Sequence, residues 1–174
     1  SYRGAHTIPG FACAAKHFPG NGQDFRDAHL SNNVNYFGVK EWDRTYGLVY
    51  RTLIDNGLDA IMAGEIMLAG YARAIKPRVC PEIMKGLLRD RLGFNGMVVT
   101  DASHMVGMTD RMKRSEMLPR TINAGCDMFL FFNDPEEDFN TMLNAYRDGT
   151  ICEERMTEAL TRILGLTAQL GRIL

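Results

Sequence analysis

At 174 residues, with 45% hydrophobic and 24% charged content, the chain is long enough for one domain with a real core, and its composition does not indicate disorder. A formal net charge of −1 provides no basic field for nucleic acid or an anionic membrane, and no apolar run approaches the length that spans a bilayer. The opening Ser1-Tyr2-Arg3-Gly4-Ala5-His6 does not have the form of a signal peptide, so any targeting segment is expected upstream of it. Cys13, Cys80, Cys126 and Cys152 show no CxxC or comparable pairing, which argues against a zinc site or redox motif. They read as free thiols and fit a reducing compartment.

In chain order, residues 1–15 read as a helix remnant or coil, then Pro9-Gly10, then a first strand over about 12–15. Residues 39–56 form an expected helix, with Trp42, Tyr46, Val49, Tyr50 and Leu53 on one face and Gly57 as its stop. A short buried strand over 60–63 ends at Gly64-Glu65, and a loop follows from Leu68 to Arg78. Pro81 suits the start of a helix whose apolar stripe is Ile83, Met84, Leu87, Leu88 and Leu92, and Gly93 ends it. Residues 97–100 are apolar without alternation, the pattern of a strand covered on both faces. A helix over about 115–123 leads to a strand over 128–132, and Asp134-Pro135 reads as an N-cap and first-turn proline for a helix to about Arg147. The last helix covers about 153–170, with Met156, Leu160, Ile163 and Leu164 on its apolar face.

Four strands, each followed by at least one helix, with short αβ turns and long βα loops, predict a parallel α/β fold. Ionisable residues gather after the strand ends: Lys16 and His17, Glu65, Asp101 and His104, Asn133 and Asp134. Both a (β/α)8 barrel and an open doubly wound sheet place their sites there, so the pattern alone does not separate the two.

The stretch Lys16-His17-Phe18-Pro19-Gly20-Asn21-Gly22, followed by Asp27-Ala28-His29, closely resembles the signature of family 3 glycoside hydrolases, especially their β-N-acetylglucosaminidase branch. Gly93-Phe94-Asn95-Gly96-Met97-Val98-Val99-Thr100-Asp101-Ala102 is similar to the family's nucleophile strand, and Ala124-Gly125-Cys126-Asp127-Met128 to the strand after it. The resemblance implies a TIM-type (β/α)8 barrel. A complete one needs about 250 residues, so about four βα units imply its C-terminal half, with the other half upstream in a parent protein or on another chain.

By the same resemblance the activity is retaining β-glycoside hydrolysis, which needs a nucleophilic carboxylate and a proton donor near the leaving oxygen. Asp101 matches the nucleophile, held directly behind a buried strand; alone, an Asp in that place is more often a helix N-cap or turn residue. Asp27 and His29 match the dyad in which an aspartate orients a histidine acid/base, and a group titrating near pH 6.5 suits that work. Asp-x-His alone is a weak pattern, and a solvated loop pair is the alternative reading. Lys16 and His17 match residues that bind sugar hydroxyls, and Met105 and His104 follow the nucleophile as pocket-lining candidates. Glu65 departs from the histidine common in relatives, and Cys80 stands where a helix-capping serine is expected. A carbohydrate substrate is implied, with no cofactor and no metal.

The expected activity is exo-acting release of β-linked N-acetylglucosamine. Alternatives are a β-glucosidase of the same family, a glycoside phosphorylase, or an inactive sugar-binding or structural half barrel. A metal-dependent hydrolase built from His17, His29, Asp101 and His104 is disfavoured, since these residues form neither HxH nor HExxH.

Overall fold

The computed structural model describes residues 2–26, 33–64, 66–71, 80–102 and 112–171. Four parallel strands, β1 (Ala14–Phe18), β3 (Ala60–Ala63), β5 (Met97–Ala102) and β6 (Met128–Leu130), lie side by side in the order β1-β3-β5-β6. A separate parallel pair, β2 (Val34–Asn35) and β4 (Met67–Leu68), joins the segments beyond β1 and β3. The helices are α1 (Tyr2–Ala5), α2 (Val39–Arg44), α3 (Tyr46–Asp55), α4 (Glu82–Arg91, of π winding), α5 (Arg114–Ala124), α6 (Pro135–Arg147) and α7 (Glu153–Gln169). The parallel α/β expectation holds, and the chain order of the four main strands is their spatial order.

Register explains which face is buried. Ala15, Ile61 and Val98 are in line across β1, β3 and β5, and Ile61 and Val98 join the main core with Trp42, Ile83, Met84, Leu87 and Leu88 from the helices. The opposite face carries Lys16, Met62, Val99 and Met128 in line. It is less covered, since Lys16 is exposed and Met128 is 43% exposed. Among the described residues no further strand pairs with the outer sides of β1 and β6, and Ile8 and Phe11 before β1 and Phe131 and Phe132 after β6 are exposed.

Several local expectations shift. The first strand starts later and includes Lys16 and His17, because β3 supplies parallel partners as far as Phe18. The helix expected over 39–56 is broken at Thr45, whose φ of −113° and ψ of −97° are not helical. Gly47 accepts the Trp42 indole at this break, where a Cβ would meet the ring at 2.8 Å. The strand expected over 128–132 stops at Leu130, and Phe131 takes a φ of 58°. Val49, Leu160 and Leu164 are exposed rather than buried, so period alone overstated those apolar faces. The Asp134 cap is as expected, accepting the Glu136 and Glu137 N–H groups. Cys80 caps nothing through its side chain: its buried thiol lies 2.9 Å from Glu82, and its pKa is pushed up to about 11, chiefly by burial.

At the N-terminal end of the sheet, two aspartates lock strands to α7. Asp59, just before β3, accepts the Cys13 N–H, the His6 ring and the Gln169 amide. Asp127, just before β6, is fully buried and receives the Val98 N–H together with Arg89, Arg155 and Arg162. Burial, with Arg162 and Arg155 adding to it, lowers the Arg89 pKa to about 10, and Asp127 opposes the shift.

Candidate active site

Lys16, His17 and Asp101 lie at the C-terminal end of the sheet, where β-bulges re-aim side chains. In β1, Lys16 pairs with Met62 and Phe18 with Ala63, leaving His17 as the extra residue. In β5, Thr100 and Asp101 together stand opposite the single residue Phe129 of β6. The His17 and Asp101 side chains meet from these two irregular positions, with His17 Nε2 3.3 Å from Asp101 Oδ2. They belong to strands that are not neighbours, so the contact passes over the end of β3.

Gly64 makes that crossing possible. Its N–H donates to the Phe18 carbonyl at 2.9 Å, and a Cβ there would sit 2.8 Å from the His17 Cβ. Asp101 is held at its other oxygen by the Ala102 N–H, 2.8 Å from Oδ1. Its side chain is 18% exposed and that of His17 is 22% exposed. The arrangement is a carboxylate fixed by a rigid strand, partly desolvated, with an imidazole beside one oxygen. A carboxylate held in this way keeps a fixed orientation at the rim of the sheet.

The loop after β1 is anchored from below by the broken helix pair. Trp42 Nε1 donates to the Pro19 carbonyl at 2.8 Å, and the Tyr46 hydroxyl donates to the Asn21 carbonyl at 3.1 Å. Gly20, at a φ of 137°, leaves room for the Tyr46 ring, which a Cβ would meet at 2.4 Å. Further along, Asp24 accepts from the Arg26 guanidinium and backbone N–H and from the Val34 N–H. The Arg26 guanidinium holds the Asp24 carboxyl well below the usual carboxylate range. Asn33 donates to the Arg26 carbonyl at 2.7 Å and ties the chain before residue 27 to the chain after residue 32. Asp27, His29, Glu65, His104 and Met105 lie outside the described residues.

Among the described residues, no group of three His, Cys, Asp or Glu side chains has the spacing to hold a metal ion. A model of the glycosyl hydrolase family 3 N-terminal domain matches residues 2–166. The chain belongs to glycosyl hydrolase family 3. It is 49% identical, over 98% of its length, to a β-N-acetylglucosaminidase/β-glucosidase of Cellulomonas fimi, and spans 32% of that protein. Among solved structures it matches the β-glucoside phosphorylase BglX at 40% identity and a TM-score of 0.86, over 92% of this chain and 31% of that one. It also matches a family 3 β-N-acetylglucosaminidase from Paenibacillus sp. str. FPU-7 at 27% identity and a TM-score of 0.91, over 98% of this chain and 33% of that one. The chain thus spans about a third of the relatives it matches. Their fold and its four parallel strands identify the sheet as part of a TIM-barrel-like domain of family 3.

Reading the sequence alone picked out Lys16, His17 and Asp101 but not the residues that hold them. Gly64 has no sequence signal beyond being a glycine after a strand. Trp42 and Tyr46 look like core residues at helical spacing, and nothing in the sequence shows that each also donates to a carbonyl of the loop after β1.

Proposed function

We propose that this chain forms the C-terminal half of the (β/α)8 catalytic barrel of a retaining β-glycosidase, which removes terminal β-linked N-acetylglucosamine. The other half, upstream in the parent protein or on another chain, covers the open edges at β1 and β6. The observation that carries the reading is the approach of His17 to Asp101 across Gly64 at the strands' C-terminal rim. A TIM barrel places its active site at that rim.

In this reading Asp101 attacks the anomeric carbon, the bond to the leaving oxygen breaks, and His29 gives that oxygen its proton while Asp27 stabilises the imidazolium. Water then attacks the glycosyl-aspartate, returning a proton to His29 and regenerating Asp101 with net retention. Lys16 and His17 bind hydroxyls of the sugar, and Met105 lines the pocket. A second reading, phosphorolysis, is favoured by the similarity to a β-glucoside phosphorylase. A neutral or cationic histidine does not repel an incoming phosphate dianion as a spent carboxylate would, and Lys16 adds positive charge.

One experiment on the complete enzyme carrying this chain tests both. Asp101→Ala should lose about 10⁴-fold or more in turnover of an aryl N-acetyl-β-glucosaminide. Added azide should restore release and give the glycosyl azide of inverted configuration. Wild-type turnover by Asp101→Ala would refute the nucleophile. With the unaltered enzyme at millimolar phosphate, free sugar as the sole product eliminates phosphorolysis, and sugar 1-phosphate establishes it.

A further inference from the structure

Strand β5 keeps an unbroken register with β3 as far as Thr100, which pairs with Ala63. On its other side the register with β6 is broken, because Thr100 and Asp101 occupy the space opposite one residue. A bulge of this kind leaves a ladder group without its usual backbone partner. Here the Leu130 N–H donates to the Thr100 side-chain hydroxyl at 3.0 Å. Thr100 is fully buried and Leu130 half-buried, so the hydroxyl is an interior acceptor for a donor near the sheet's edge.

Packing by itself does not call for a threonine. Valine has nearly the same shape and no hydroxyl to desolvate. Without the hydroxyl, the half-buried Leu130 N–H either loses this acceptor or recovers a backbone carbonyl by closing the bulge. Closing it by one residue turns the following side chain, Asp101, toward the other face of the sheet.

We propose that Thr100 is a positioning residue whose hydroxyl, by accepting the Leu130 N–H, fixes the β5 bulge and so aims the Asp101 carboxylate at the anomeric carbon. The inference rests on Asp101 being the attacking group. Thr100 touches neither substrate nor reacting atoms; it acts through the backbone turn that carries Asp101.

The test compares Thr100→Val, Thr100→Ser and Asp101→Asn with the unaltered complete enzyme, measuring kcat and KM on an aryl N-acetyl-β-glucosaminide alongside Tm. Thr100→Val should lose about tenfold to a hundredfold in kcat, the scale expected for a misplaced reacting group, with KM unchanged. Thr100→Ser should recover most of that loss, since it keeps the acceptor. A purely structural role would lower Tm and leave kcat per folded molecule intact. If Thr100→Val does not fold, Thr100→Ala also removes the hydroxyl and is compared with Thr100→Ser in the same way. Wild-type kcat in the hydroxyl-free variant, or equal losses in the hydroxyl-free and serine variants, overturns the inference. Should Asp101→Asn remain active, the nucleophile reading itself has failed; should it be inactive while Thr100→Val turns over normally, only the role of Thr100 falls.

Discussion

At the N-terminal end of the sheet, Asp127 gathers three arginines and the Val98 N–H, and Asp59 ties β1 and β3 to α7. At the C-terminal end, His17 and Asp101 meet across a glycine, from positions where the ladder is irregular. Both ends use ionisable residues placed next to strands, but the first surrounds its carboxylates with donors and the second leaves Asp101 partly accessible. A fully satisfied buried carboxylate holds elements together and has no lone pairs to spare for chemistry. The contrast follows the general division of a TIM-type fold, with stability at the N-terminal end and function at the C-terminal end.

Removing the Asp127 carboxylate should break the comparison from the stable side. Asp127→Ala leaves Arg89, Arg155 and Arg162 crowded without their shared anion, and the expected loss is about 3–5 kcal/mol of folding stability. Urea unfolding of the complete enzyme measures it, and kcat of the folded fraction should not change. A loss of kcat with stability preserved would show that this end serves catalysis directly.

Gly64→Ala probes the other end with a smaller effect. The new Cβ falls 2.8 Å from the His17 Cβ and 3.5 Å from the Phe18 carbonyl oxygen, so the His17 backbone has to yield. Overpacking of this kind amounts to about 1–3 kcal/mol, and it should appear mainly as a fall in kcat/KM of about tenfold. Unaltered kinetics would mean that the approach of His17 to Asp101 is not needed for turnover.

The smallest expected effect is pH dependence at Asp138, which joins the start of α6 to Arg114 at the start of α5. The Arg114 guanidinium holds its carboxyl below the usual carboxylate range. The folded-state pKa is therefore below the unfolded one, so the stabilisation is complete above the unfolded value of about 4 and is lost as pH falls through the folded value. Tm should be level from neutral pH down to about 5 and drop below about 4. In Asp138→Asn, Tm at neutral pH should be lower and the acid slope shallower. An unchanged slope would show that other carboxylates account for the acid sensitivity.

By itself the sequence determined what short-range pattern and motif carry. The order of the four main strands and the helices between them, the N-cap at Asp134, the apolar runs 60–63 and 97–100, and the gathering of Lys16, His17 and Asp101 at the C-terminal ends of strands all depend on a few adjacent residues. Family 3 membership was legible for the same reason, since its signatures are contiguous. The break at Thr45, the bulges at His17 and Thr100-Asp101, and the stop of β6 at Leu130 were decided by tertiary structure. Register belongs to a pair of strands, so no single strand's sequence specifies where an extra residue is accommodated. The crossing of His17 over Gly64 and the convergence of Arg89, Arg155 and Arg162 on Asp127 bring together residues tens of positions apart, and only packing around a common core sets those distances.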